Sequence, residues 1–154
     1  MCVIVDASVA CLVFRREPHS DFLPVFQWLH DSRADGCLVF GGELTRELRR
    51  VQAARGYLRR LNQAGRARRI PDADVDDEEH RVAATGLCCS DDPHIVALAR
   101  VSGARTLCSH DGDLQGDFTN RDLISDPRGK VYQRPTHVHL LRHTRSCGLL
   151  SRRR

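Results

Sequence analysis

The sequence predicts an α/β fold in which helices cover a mainly parallel sheet. Short apolar runs of strand length recur at residues 2–5, 37–40 and 106–108, and such runs are typical of strands buried on both faces of a parallel sheet. Segments with helical spacing of apolar residues lie between these runs, and this alternation indicates helices layered around one sheet. The length suits one domain, which we expect over residues 1–141, followed by a flexible basic tail over 142–154.

In the first half of the chain, turn and capping residues separate the predicted elements. Asp6 can cap a helix that follows the first strand, and Gly41-Gly42 ends the second strand. Leu44, Leu48 and Val51 share one face of a later helix, whose opposite face carries arginines. We expect strands at 2–5 and 37–40, and helices at 9–14, 21–32, 43–54 and 57–63.

In the second half, the clearest signal is a helix over residues 94–101. Asp92 suits its N-cap, Pro93 suits its first position and Gly103 suits its end. The acidic run before it is favourable in the first turn of another helix, because the helix dipole attracts negative charge there. We expect the remaining strands at 68–70, 106–108 and 130–132, and a helix that opens with the acidic run at 74–79.

Charge is distributed unevenly along the chain, although the formal net charge is only +4. Residues 46–69 carry nine arginines, and residues 72–79 then carry six acids in eight positions. Arginine binds phosphate through a planar fork, and such asymmetry between neighbouring segments favours a polyanionic partner for the basic one. Arg46, Arg49 and Arg50 are therefore candidate contacts to a nucleic acid.

No apolar run is long enough for a transmembrane helix, and the charge at Asp6 argues against a signal peptide. None of the seven cysteines has the C-x-x-C spacing of a zinc or redox site, so we expect all of them to be reduced. These observations predict a cytoplasmic protein without a membrane partner.

Four acids occur where the predicted elements begin or end. Asp6 directly follows a strand, Asp111 closely follows another, Asp92 starts a helix and Glu47 lies one turn into a helix. Ligands of open α/β sheets bind at the carboxyl ends of the strands, so the four acids can converge there. Clustered carboxylates repel each other, and a hard divalent cation relieves that repulsion.

Each acid also has an ordinary structural interpretation. Asp6 and Asp92 can serve only as helix caps, and Glu47 can be one more solvated charge on an amphipathic helix. Asp111 and Asp113 can be turn residues around Gly112. Capping does not exclude metal binding, because a capping carboxylate keeps free lone pairs.

With these positions in place, the sequence over about residues 2–135 resembles the PIN-domain nucleases, including VapC-type toxins. Residues 3–9 (VIVDASV) resemble the first strand of the family with its Asp, and residues 41–48 (GGELTREL) resemble the helix that carries its Glu. Residues 92–99 (DPHIVALA) resemble the third acid with its helix, and residues 107–114 (LCSHDGDL) resemble the T-x-D-x-D-[LF] motif with Ser109 in the Thr place. No single motif is specific, and the resemblance depends on all four occurring in the family's order and spacing.

The resemblance implies a three-layer α/β/α sandwich and a ribonuclease that uses Mg²⁺ or Mn²⁺. Asp6, Glu47, Asp92 and Asp111 would be the catalytic metal ligands, Asp113 would assist, and Ser109 would orient the carboxylates. The family also implies RNA as substrate, frequent homodimers and, for a toxin, an antitoxin protein as partner. The longer arginine-rich middle and residues 123–143 depart from the small toxins.

Several alternatives stay open from the sequence. Glu43 competes with Glu47, which we prefer because Leu and a basic helix follow it, and Asp91 competes with Asp92, which we prefer for its spacing to Ala99. A catalytically silent RNA-binding or regulatory domain of the same fold is the second hypothesis. A phosphoryl-transfer enzyme with Asp6 as nucleophile is a third, but such chemistry usually needs a second Asp where Ser8 stands.

Overall fold

A computed structural model describes residues 1–143 of the chain, and its centre is a five-stranded sheet in which all strands are parallel. The predicted α/β class is therefore confirmed. Buried β-branched and leucine side chains build the sheet core, with every residue of the first strand inaccessible to water or nearly so. The strands are β1 (Cys2–Val5), β2 (Cys37–Gly41), β3 (Ala67–Ile70), β4 (Thr106–Cys108) and β5 (Lys130–Tyr132).

Helices flank both faces of this sheet and complete the three-layer sandwich that the resemblance implies. They are α1 (Ala7–Val13), α2 (Leu23–His30), α3 (Glu43–Arg50), α4 (Gln52–Gln63), α5 (Asp72–Ala84), α6 (Pro93–Ser102) and α7 (Gly112–Thr119), with a 3₁₀ helix, η1, at Pro135–Arg142. Helix α6 packs on α5 and α7, whereas α1 packs on α2 and α4, and α3 contacts both groups. Within residues 1–143, no helix has the length and apolar character that crossing a bilayer would require.

The strand order is β3-β2-β1-β4-β5. Strands β2 and β3 therefore extend the sheet on one side of β1, and β4 and β5 extend it on the other. Val5 pairs with Cys108, and the backbone N–H of Asp6 donates to the Cys108 carbonyl over 3.0 Å. The carboxyl ends of β1 and β4 consequently lie side by side at the centre of the sheet. This junction between the two sides is where open α/β sheets place their ligands.

Gly41 and Gly42 determine where α3 begins. Gly42 has φ +59°, a left-handed conformation that favours glycine, and a Cβ there would lie 2.7 Å from Val75 Cγ1. Its N–H donates to Asp72 Oδ1 over 3.0 Å. This tight approach of α5 fixes the start of α3, and with it the position of Glu47.

Some predicted elements need correction. The helix expected at 43–54 ends at Arg50, because Val51 is extended, and α4 then begins at Gln52. Helix α7 and η1 were not predicted. Cys2 is disulfide-bonded, so the expectation that all cysteines are reduced is wrong: spacing along the chain carries no information on cysteines that meet through folding. The cysteines therefore no longer support the predicted cytoplasmic location. Most of the predicted tail, residues 144–154, lies outside the described residues.

Candidate metal centre

Asp6 stands at the end of β1 and is 5% exposed. It occupies the N-cap position of α1, yet its side chain makes no capping hydrogen bond. Its Oδ2 instead accepts hydrogen bonds from the hydroxyls of Ser8 (2.6 Å) and Ser109 (2.9 Å). The sheet therefore holds this carboxylate in a buried position by two hydroxyl donors, without committing Oδ1 to either of them.

Asp111 is joined to Asp6 through Ser109. The Ser109 hydroxyl, which is fully buried, accepts a hydrogen bond from the Asp111 N–H over 3.1 Å while it donates to Asp6. Asp111 Oδ1 caps α7 by accepting from the N–H groups of Asp113 and Leu114. Capping thus uses one carboxylate oxygen and leaves Oδ2 for another partner.

The carboxyl of Asp92 is half-buried, and the three other acids affect its pKa. Asp92 occupies the N-cap position of α6 but makes no side-chain capping bond. Burial raises the pKa of this carboxyl above its ordinary value, and the negative charges of Asp6, Glu47 and Asp111 raise it further, although His94 opposes them. Asp6, Glu47 and Asp111 therefore each lie near enough to Asp92 to act on its charge.

Glu47 and His94 form the closest contact in this group. His94 is 3% exposed, and its Nε2 lies 3.2 Å from Glu47 Oε1, but no hydrogen-bond partner of good geometry reaches Nε2 among residues 1–143. Burial by itself would lower the pKa of His94, and the adjacent Glu47 carboxylate outweighs that effect, so this pKa is raised. One ligand atom from each of Glu47, Asp92 and His94 lies within 4.8 Å of the others.

The two alternatives left open by the sequence occupy other surroundings. Arg46 Nε donates a hydrogen bond to Glu43 Oε2 over 2.7 Å, and this hydrogen bond lowers the pKa of the Glu43 carboxyl. Asp91 is exposed. Glu47 and Asp92, rather than their neighbours, therefore meet in space.

Asp117 supports the segment that leads into Asp92. Its carboxylate, 2% exposed, accepts hydrogen bonds from the N–H groups of Cys89 and Ser90 and from the Ser90 hydroxyl, over 2.6 to 2.9 Å. The Ser90 hydroxyl in turn accepts from the Asp92 N–H over 3.3 Å. Asp117, on α7, thus holds the start of α6 in place.

The remaining predicted site residues lie at the periphery. Asp113 is exposed, and its backbone N–H serves the cap of α7. Arg46 pairs with Glu43 and lies 3.8 Å from Asp76, whereas Arg49 and Arg50 are exposed. The charge of Arg46 is thus already partly neutralised within the protein.

The chemistry of this group fits a divalent cation. Three carboxylates that each act on the charge of Asp92 are costly without positive charge, and the buried Nε2 of His94 lacks a well-aligned partner among residues 1–143. Carboxylates suit Mg²⁺ and Mn²⁺, and an imidazole nitrogen adds a ligand that transition metals accept. A cation held by Glu47, Asp92 and the His94 imidazole, with Asp6 and Asp111 beside it, would answer both features.

Sequence reasoning missed His94 and Asp117. His94 lies two residues after Asp92, and an imidazole so close to a candidate ligand was a usable signal. Asp117 lies in a segment without a predicted helix, so nothing in the sequence marked it.

Comparisons with protein-family models, curated proteins and solved structures found no match.

Proposed function

We propose that this protein is a metal-dependent endoribonuclease that hydrolyses RNA phosphodiester bonds with Mg²⁺ or Mn²⁺. The observation that carries this proposal is the meeting of Glu47, Asp92 and His94, whose ligand atoms lie within 4.8 Å of one another. Asp6 and Asp111, which Ser109 bridges, lie near enough to Asp92 to act on its charge. Four acids from four separate elements are gathered although their charges repel, and metal binding is a function that rewards such gathering. The resemblance to PIN-domain nucleases supports the same residues.

Each side chain has a role in this proposal. Asp6, Glu47, Asp92 and Asp111 would hold the ion, and Ser109 orients Asp6 and Asp111 through its two hydrogen bonds. When bound, the ion would supply an acidified water and stabilise charge on the phosphoryl group. Asp113, exposed in the first turn of α7, assists from outside the group.

The arginine-rich segment supports RNA as the substrate class. Arg49 and Arg50 are exposed on α3, the helix that carries Glu47. Arg50, three positions after Glu47, can bind a phosphate near the scissile bond, whereas Arg49, on another face of the helix, can bind a phosphate elsewhere on the RNA. A toxin paired with an antitoxin protein, and a homodimer, remain part of the proposal through the family resemblance alone.

The experiment is an RNA cleavage assay with Mn²⁺ on the full chain and on Asp6→Asn. We expect the variant to lose at least a hundredfold in rate, because one carboxylate is removed from the ion's ligands. Asp91→Asn is the matched control: it removes the same charge from an exposed neighbour of Asp92 and should cleave at the wild-type rate. Equal rates for the wild type and Asp6→Asn would refute the proposal.

A second candidate is a catalytically silent RNA-binding or regulatory domain. His94 favours it, because a protonated imidazole 3.2 Å from Glu47 can itself balance part of the negative charge. Calorimetric titration with Mn²⁺ distinguishes the two candidates. The nuclease binds Mn²⁺ in a manner that Asp6→Asn abolishes, whereas the silent domain retains RNA binding and takes up no Mn²⁺.

A further inference from the structure

A second candidate site lies on another face of α3. A cleft of about 450 Å³ opens between α3, α4 and the adjoining strands β2 and β3. Thr45 and Arg49 line it, and each lies two positions from Glu47, so they point roughly 200° away from it around the helix. The cleft is therefore separate from the carboxylate group.

Positive charge dominates the walls of this cleft. Among residues 1–143, no acidic residue lines it, whereas four arginines do: Arg49, Arg55, Arg59 and Arg69. Arg69 is paired with Asp72 over 2.9 Å, but the other three have no carboxylate partner among residues 1–143. Three uncompensated guanidinium groups around one cleft favour an anionic ligand.

The inner wall of the cleft is largely apolar, which binding of a simple inorganic anion would not require. Phe40, Leu48 and Leu58 give it an apolar and aromatic surface. Thr45 also lines the cleft, is 4% exposed, and has a buried hydroxyl without any hydrogen-bond partner in the described chain. Buried hydroxyls are normally hydrogen-bonded, so this one indicates that a polar group of a ligand completes the wall.

We infer that the cleft binds a nucleoside phosphate, with its phosphate among Arg49, Arg55 and Arg59 and its base against Phe40 and the Thr45 hydroxyl. The cleft volume lies within the range of small-molecule sites, and aromatic side chains commonly stack on bases. The nucleotide is either free or part of an RNA strand, since both present the same chemistry. This inference does not rest on nuclease activity.

The test is calorimetric titration of the full chain with 5′-AMP in the presence of EDTA, which keeps divalent ions out of the carboxylate group. We expect saturable binding that weakens roughly tenfold in Arg59→Gln, through loss of a charge-assisted hydrogen bond. Arg60→Gln is the matched control, because Arg60 adjoins Arg59 on α4 but lies over the Tyr57 ring, outside the cleft. Absence of binding, or equal weakening in both variants, would overturn the inference.

Four further measurements sharpen the result. Thr45→Val should weaken AMP binding while the thermal unfolding temperature stays the same or rises, and unchanged AMP affinity would overturn the assigned base position. Inorganic phosphate should bind less tightly than AMP, and equal affinity would overturn the nucleoside assignment. A tetranucleotide that displaces AMP identifies RNA as the source, and failure to displace it identifies a free nucleotide. Asp6→Asn should bind AMP normally, which separates this site from the metal centre.

Discussion

Ser8 and Ser109 both donate to the same oxygen of Asp6, but their surroundings differ. Ser109 is fully buried and also accepts from the Asp111 N–H, whereas Ser8 is exposed. A buried hydroxyl that bridges two groups contributes more than an exposed one, because water cannot replace it. Ser109 is thus a positioning residue for two of the four acids.

We predict that Ser109→Ala lowers the free energy of unfolding by about 1–2 kcal/mol, whereas Ser8→Ala lowers it by less than about 0.5 kcal/mol. Chemical denaturation of both variants measures this difference. Ser109→Ala should also weaken Mn²⁺ binding more than Ser8→Ala does. Equal effects of the two substitutions would show that Ser109 has no special part in holding the acids.

The ionised carboxylate of Asp92 destabilises the folded state, and a bound cation would remove this destabilisation. Burial and the acidic neighbours of Asp92 raise the pKa of its carboxyl. The folded state therefore binds this proton more tightly than the unfolded state does. The stability of the wild type consequently falls as the pH rises through the folded-state pKa. We predict that in EDTA at neutral pH Asp92→Asn is more stable than wild type, by less than about 1 kcal/mol after solvent screening. Denaturation at neutral pH and at pH 3 measures this, and the advantage should disappear at pH 3.

The acids could be predicted from the sequence because each stands beside a recognisable strand end or helix start. His94 lies two residues after Asp92, but its contact with Glu47 could not be predicted, because that contact depends on how α3 packs on α6. A contact between two elements leaves no local pattern. The same reason applies to Thr45, whose unpaired hydroxyl is visible only in three dimensions.

At the scale of elements, the start of α3 depends on Gly42. We predict that Gly42→Ala costs about 2–4 kcal/mol, because alanine must adopt φ +59° and its Cβ also meets Val75 at 2.7 Å. Gly86→Ala is the control, since Gly86 has φ +68° but no atom within 4 Å of the added Cβ. It should cost about 1 kcal/mol.

Thermal unfolding of the two alanine variants gives the comparison. Gly42→Ala should also weaken Mn²⁺ binding, because a displaced α3 moves Glu47, while Gly86→Ala should not. If both variants lose the same stability, close packing of α5 on Gly42 does not fix α3.

Asp117 links α7 to the segment before α6. We predict that Asp117→Asn costs about 1–3 kcal/mol, because the carboxylate accepts three hydrogen bonds and an amide nitrogen cannot replace an acceptor. Mn²⁺ affinity should fall as well, since the Asp92 backbone loses its support. Asp122→Asn, at an exposed position, is the control. Retained Mn²⁺ affinity in Asp117→Asn would mean that Asp92 is positioned by α6 alone.

Helix α7 shows the limit of local reasoning about elements. Gly112 and Gly116, with Asp113 and Asp117 between and after them, are typical of a turn. The helix forms because Asp111 caps it and because Leu114 and Phe118 are buried against the core. Tertiary packing therefore outweighs weak intrinsic helix propensity.

For the whole molecule, the class of fold was predictable because strands buried on both faces produce continuous apolar runs. The order of strands was not, since nothing in β2 or β4 marks which side of β1 it joins. The break at Val51 was also hidden, because Val51 continues the apolar stripe of α3 although its backbone is extended. Topology and local breaks depend on contacts between distant segments.

Binding of a cation should stabilise the entire fold, because only the folded chain brings the four acids together. We predict that Mn²⁺ at a hundred times its Kd raises the free energy of unfolding by about 2.7 kcal/mol. Asp6→Asn should show no such increase, and Asp91→Asn should show the full one. An equal increase in all three proteins would indicate binding elsewhere.

The most direct measurement is anomalous diffraction from a crystal soaked in Mn²⁺. We predict a peak bounded by the carboxylates of Asp6, Glu47, Asp92 and Asp111, and no such peak in crystals of Asp6→Asn. If saturating Mn²⁺ leaves no peak among these side chains, the four acids are not a metal centre and the nuclease proposal is contradicted.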